Sequence, residues 1–439
     1  MKRRQFLQNT IPAAIIPSLV DGMSFKLLGA NPLMAAMLNA YVETDKVLVI
    51  IQLNGGNDGL NMVIPLDQYS NYFNARSNIA IPQNRVLNLT GTAATGLHSS
   101  MGGLQSLYNE GKVRLVHSVG YPNPNFSHFR ATDIWMSASD SNVQITSGWA
   151  GRYLNDQYPN YPVGYPNTQM PDPLGIQIGS STSLTFQGPS VNTGISITSA
   201  TNFYNLINGI QDPAPATPAG DALKYVRLVA QQSNQYSARI VAAANAVPTQ
   251  GTYPTNNTLA DQLKIVARLV KGGLKTRVYM VSLGGFDTHS IQTNTDTTTG
   301  THATLMQRLS DAIRAFQNDL IGLGIEDRVL GMTFSEFGRR VKSNASVGTD
   351  HGAAAPLFLF GKKVNPGITG NNPIIPAVAT VNDNVPMQYD FRSIYASVLQ
   401  DWFCVDNTTL QTIMLQNFQK LPVIAPDACS GTTNVDYRE

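Results

Sequence analysis

Charge is what this chain has least of. Only 13% of its 439 residues are Asp, Glu, Lys or Arg, about half the ~25% usual in a globular domain. With 30 basic and 28 acidic residues the net charge is +2, so the chain lacks the basic stripe that binding a nucleic-acid backbone requires. A 42% hydrophobic content at near-zero net charge also excludes intrinsic disorder, which needs the opposite combination. Beyond the N-terminus, no apolar stretch is long enough to span a bilayer, and neither a repeat nor a coiled-coil pattern is present. Cysteine is scarce as well. Cys404 and Cys429 have no histidine near them, which argues against a zinc site there. They read either as a disulfide formed in an oxidising compartment or as two buried free thiols.

The N-terminus points to export. Lys2, Arg3 and Arg4 precede Phe6 and Leu7 and a modestly apolar run over residues 10–20. A charged start before a short apolar segment reads as a secretion signal, and the arginine pair as the twin-arginine type. A basic amphipathic terminus is the other reading. The expectation is an export signal and linker over 1–40, then a single domain over 41–439 in the periplasm or outside the cell.

Apolar runs at 46–53, 113–118, 174–178, 277–283, 328–334 and 356–360 predict strands, the first buried on both faces. Helices are predicted over 103–110, 129–137, 221–247, 259–271, 302–323 and 391–403. This alternation predicts an α/β fold with a largely parallel sheet covered on both sides. Residues 155–218, rich in Pro, Gly, Ser, Thr and Asn, read as an insertion or cap. The Thr-rich stretch 293–301 reads as a mobile loop.

Polar clusters sit just after predicted strands: Asn54–Asp58, Asp287-Thr288-His289 and Ser335-Glu336. A fourth, Thr349-Asp350-His351-Gly352, precedes the strand near Pro356. In open α/β sheets ligands bind beyond the carboxyl ends of the strands, so these acids and histidines are candidates to converge. Carboxylate and imidazole are the ligands of a zinc-like or manganese-like ion. Each cluster alone reads equally as a turn or a surface pair; the weight lies in their shared position. Ser127, at a predicted helix start, reads either as an N-cap or as a nucleophile activated by a metal. Arg130, close to His128, is a candidate oxyanion clamp. His98, His117 and His302 join no cluster, and His302 reads as structural.

Taken in order, Asn54-Gly-Gly-Asn-Asp-Gly59, Ser127-His-Phe-Arg130, Gly284-Gly-Phe-Asp-Thr-His289, Ser335-Glu-Phe-Gly-Arg339, Gly348-Thr-Asp-His-Gly352 and Asp390-Phe-Arg392 resemble the bacterial domain-of-unknown-function family 1501. The resemblance spans about 46–403. That family is similar to the alkaline phosphatase and sulfatase superfamily, which implies a three-layer α/β/α domain. It also implies a divalent metal (zinc, manganese or calcium; one or two ions) and a serine, threonine or cysteine nucleophile. By this resemblance Ser127 is the nucleophile, with His128 and Arg130 beside it. Asp58 (or Asn54), Asp287, His289, Glu336 and His351 match the metal-site residues, and Asp350, next to His351, is a further metal candidate from its own cluster. Two departures stand out. Phe337 occupies a position where the superfamily has a ligand, and the Asp-to-His spacing is shortened to Asp287-x-His289. One ion, two ions, or binding without catalysis all stay open. The implied function is hydrolysis of phosphate or sulfate esters, including glycan esters. The alternative is an inactive envelope protein with a protein or glycan partner, such as a second exported protein of family 1800.

Overall fold

The computed structural model describes residues 45–200, 217, 232 and 235–429. The expected export signal with Arg3 and Arg4, and most of residues 221–234, lie outside the described residues.

Among the described residues, nine strands form one sheet. In chain order they are β1 (Val47–Asn54), β2 (Val113–Gly120), β3 (Gly175–Ile178), β4 (Gly194–Ile197), β5 (Val278–Gly284), β6 (Val329–Phe334), β7 (Ala355–Phe360), β8 (Gly367–Thr369) and β9 (Tyr389–Asp390). Their spatial order is β8-β2-β7-β6-β1-β5-β3-β4, with β9 also paired to β2. All neighbours run parallel except at β7, which is antiparallel to both β2 and β6. A separate three-stranded sheet joins Val63–Pro65, Leu87–Asn88 and Thr95–Leu97.

Period-2 alternation sorts each central strand between two cores. In β1, Val47, Val49, Ile51 and Leu53 enter one core, while Leu48 and Ile50 enter the other. The first core is closed by α1 (Gly102–Asn109), by residues 235–245, and by helices over Thr258–Lys271 and Thr301–Gly322. The second is closed by α2 (His128–Ser137), α3 (Trp149–Gln157) and, later in the chain, helices over Phe391–Ser397 and Asn407–Met414. Numbered onward, these four later helices are α4 to α7. The result is a three-layer α/β/α arrangement with a mixed, mostly parallel sheet. The helix expected over 391–403 is α6 followed by a π-helical turn, Val398–Trp402.

Three differences from the sequence expectations have physical reasons. The segment expected as an insertion or cap with short strands supplies β4 as well as the expected β3, both in the main sheet, because Ile176, Ile178 and Ile197 continue its apolar face. The Thr-rich stretch is pinned in place: Asp296 accepts from Thr298, and Thr297 donates to the carbonyl of Ala80 at 2.6 Å. The strand at 356–360 runs antiparallel because residues 335–354 contain no crossover helix, which a parallel return would need. Cys404 and Cys429 are joined as a disulfide. Among the described residues, no helix is long and apolar enough to cross a membrane.

Candidate metal centre

β6, β1 and β5 lie side by side. Asn54 pairs with Gly284, and Gln52 with Phe334, so the chain leaves all three strands at one level of the sheet. β2 points the same way and leads into α2, which begins at His128. β7 runs oppositely, so its amino end, preceded by Asp350 and His351, reaches the same edge. Close approach of these loops depends on glycine at two points. A Cβ at Gly55 would lie 2.4 Å from the Asp287 nitrogen, and one at Gly348 would lie 2.3 Å from the His289 oxygen.

Three imidazoles surround Asp287. His289 Nε2 lies 3.1 Å and His351 Nε2 3.2 Å from Oδ1, while His128 Nε2 lies 3.5 Å from Oδ2. Each ring is oriented through its other nitrogen. His351 Nδ1 is 2.8 Å from the carbonyl of Phe126, His289 Nδ1 is 3.2 Å from Asp350 Oδ1, and His128 Nδ1 is 2.9 Å from Glu336 Oε1. With Nδ1 donating to these acceptors, each Nε2 would be free to ligate a cation beside Asp287. The Nε2 atoms of His289 and His351 face each other at 2.9 Å. That distance suits either an N–H···N hydrogen bond or two nitrogens sharing one cation.

Beneath the rings, Glu336 is fully buried. Its Oε1 also accepts from Gly55 N at 2.8 Å, whereas Oε2 is buried without a hydrogen-bond partner. Arg339, also buried, donates to the carbonyls of Gly56, Thr349, Phe286 and Gly55 and to Asp287 Oδ1 at 2.7 Å. Burial alone would raise the Asp287 carboxyl; Arg339, His351 and His289 together hold it below the ordinary range. Burial lowers His351, which favours the neutral imidazole a metal requires. One atom each from His128, Asp287 and His351 all lie within 4.8 Å of one another. The donor set therefore fits a divalent ion, and the orphaned Glu336 oxygen beneath it supports the same fit.

A family model for a protein of unknown function, DUF1501, matches residues 117–401, well over half of the chain. The chain belongs to the DUF1501 family. No curated protein matches it in sequence. Among solved structures, this DUF1501 chain is similar to a protein in the alkaline phosphatase superfamily from Vibrio parahaemolyticus. Identity there is 10% and the TM-score 0.35, covering 85% of this chain and 72% of that one. It is also similar to a sulfatase of glycosaminoglycan metabolism from Bacteroides thetaiotaomicron. In that case identity is 8% and the TM-score 0.32, with 74% and 69% covered.

Of the residues singled out in the sequence, the DUF1501 structure brings together His128, Asp287, His289, Glu336, Asp350 and His351. Asp350 touches the group through His289 and takes Asn344 Nδ2 at 3.2 Å. Ser127 is exposed, precedes α2, and makes no capping bond with its side chain. Asp58 does not join the group. Its carboxylate is buried against Arg76 Nη1, 2.8 Å from each oxygen, and takes Gln292 Nε2 at 2.6 Å. The alternative, Asn54, is the exposed last residue of β1. Arg130 is not a clamp: its guanidinium donates to Ser139 Oγ and to the carbonyls of Asp140, Ser141 and Val143. The reason is helix phase, since residue 130 lies about 200° around α2 from residue 128. Phe337 has a role without ligation. Its ring packs 4.9 Å from that of His128 and 4.5 Å from that of His351. The ring of His128 as a candidate ligand and Arg339 as the anchor of Asp287 emerge only in the structure. Both stand inside motifs that were already in view.

Proposed function

We propose that this DUF1501 protein is an exported, metal-dependent hydrolase of phosphate or sulfate esters with Ser127 as nucleophile. The observation that carries the reading is the convergence of three imidazole Nε2 atoms on one Asp287 carboxylate. His128, His289, His351 and Asp287 would hold the ion. Nitrogen ligands favour zinc or manganese over calcium, which takes oxygen ligands. A divalent ion there would supply positive charge for the charge that develops on an ester oxygen.

The chain's own residues do the rest. Ser127, exposed and one residue from His128, sits at the start of the 10-residue helix α2, where backbone N–H groups and the helix dipole favour an anionic ester group. Its oxygen bonds to phosphorus or sulfur while the alcohol leaves with the serine proton. Water then cleaves the serine ester, restoring the hydroxyl and releasing the acid. The expected result is near-stoichiometric metal in the exported protein. Ester hydrolysis should fall to background in Ser127→Ala while metal content is kept, as elemental analysis and a broad ester panel would measure. Absence of metal together with absence of hydrolysis would sink the reading.

One observation favours a second reading, a protein that binds without turnover. Arg130 and Arg339 are both committed to protein acceptors, so neither guanidinium is free to clamp an ester anion. A stable, stoichiometric partner recovered from the envelope fraction, such as a family 1800 protein, with metal present but no hydrolysis, would select it. A glycan array would separate carbohydrate from protein binding.

A further inference from the structure

Gln292 lies outside every motif, yet it is fully buried and both ends of its amide are used. Its Oε1 accepts from Thr288 Oγ1 and from Thr349 Oγ1, each at 2.9 Å. Its Nε2 donates to Asp58 Oδ2. Thr288 stands between Asp287 and His289, and Thr349 is two residues before His351. One amide oxygen therefore binds both ligand-bearing loops, and the same amide anchors them to the Asp58–Arg76 pair. The backbone adds Gln292 N to Val347 O at 2.8 Å and Thr349 N to Thr288 O at 3.1 Å.

Both loops are strained at this junction. Ile291 has φ 48° and Val347 φ 58°. β-Branched residues avoid the left-handed region, and such strain persists only where surrounding contacts over-determine it. Here it accompanies the 2.9 Å approach of the His289 and His351 nitrogens.

We infer that Gln292 is a positioning residue: through Thr288 and Thr349 it clasps the two loops so that His289 and His351 are preset for one divalent ion. The inference rests on the metal reading above. It predicts that Thr288→Val and Thr349→Val each weaken Co²⁺ binding about 10–100-fold, the usual effect of losing a group that orients a ligand, and shift the visible cobalt bands. Both hydroxyls share one acceptor, so the double variant should lose about as much as either single one rather than the sum. Thr288→Ser, which keeps the hydroxyl, should restore binding. Gln292→Leu should behave as the double variant if it folds. Folded valine variants that bind Co²⁺ like the natural protein, with unchanged bands, overturn the clasp.

If the natural protein takes no Co²⁺, the metal reading falls and the clasp is judged on metal-free protein. The imidazole ¹⁵N resonances of His289 and His351 should then each report one fixed tautomer, which scrambles in Thr349→Val. Unchanged resonances overturn the clasp.

Discussion

At Asp58 one buried carboxylate meets a guanidinium and an amide with no water between them. Desolvation alone would push this carboxyl up, but Arg76, His302 and Gln292 hold it below its ordinary value, so it stays charged. Arg76 also donates to the carbonyls of Val341 and Arg340, joining the pair to the segment just after Arg339. Removing one partner of such a pair leaves an uncompensated buried charge, at a cost of about 3–5 kcal/mol. Arg76→Met keeps much of the apolar stem and should lose about that much, measured by urea unfolding. A loss below about 1 kcal/mol would mean that the carboxyl simply takes up a proton and the pair matters little. Asp58 and Asp287 are the same chemical type, so residue identity in the sequence could not separate them. What separates them is an arginine 18 residues away in sequence.

Among the elements, direction mattered more than existence. The uninterrupted apolar runs of β1, β5 and β6 were legible because both faces of each strand are buried. β7 carried no expected direction, although the missing helix between 334 and 355 bears on it, and its reversal is what brings His351 to the site. Helix phase was likewise available for Arg130 once α2 is taken to start at His128. Gln292, Thr288 and Thr349 were not legible: neutral polar side chains acquire a role only from what they touch. The C-terminal elements carry their own prediction. The Cys404–Cys429 bond, 25 residues apart in sequence, encloses α7, and Lys46 at the start of β1 donates to the carbonyl of Ala428 within the same loop. Closing a loop of that size stabilises by roughly 3 kcal/mol. Cys429→Ser should lose about this much in denaturant unfolding, and the natural protein in reductant should match it. Equal stability of oxidised and reduced protein would show that the loop is held by packing alone.

For the whole molecule, sparse charge makes the histidines the main acid-sensitive groups above the carboxylate range. Three of the six, His98, His117 and His302, are buried outside the candidate site. Burial, the largest cause in each case, lowers them to about 3, 4 and 4 respectively. His98 Nδ1 accepts from Ser100 N at 3.0 Å, and only a neutral ring can do so. Below pH ~6.5 the unfolded chain takes up protons on these rings that the folded chain refuses until roughly pH 4. The unfolded state therefore binds more protons throughout that window, and stability must fall as pH falls. At about 1.4 kcal/mol per pH unit for each ring, every one of them removes roughly 3 kcal/mol across it. Asp58 acts with the same sign but lower down: its folded carboxyl is depressed, so its contribution is complete above the unfolded carboxylate value near 4 and lost only beneath that. Melting temperature should consequently decline from about pH 6.5, well before the carboxylates titrate. His302→Gln, His98→Gln and His117→Gln, compared at matched pH, should each decline less steeply than the natural protein. A melting temperature flat between pH 6.5 and 4.5 would show that the buried rings accept protons in the folded state, by admitting water or by shifting, and that the cores flanking the sheet open under mild acid.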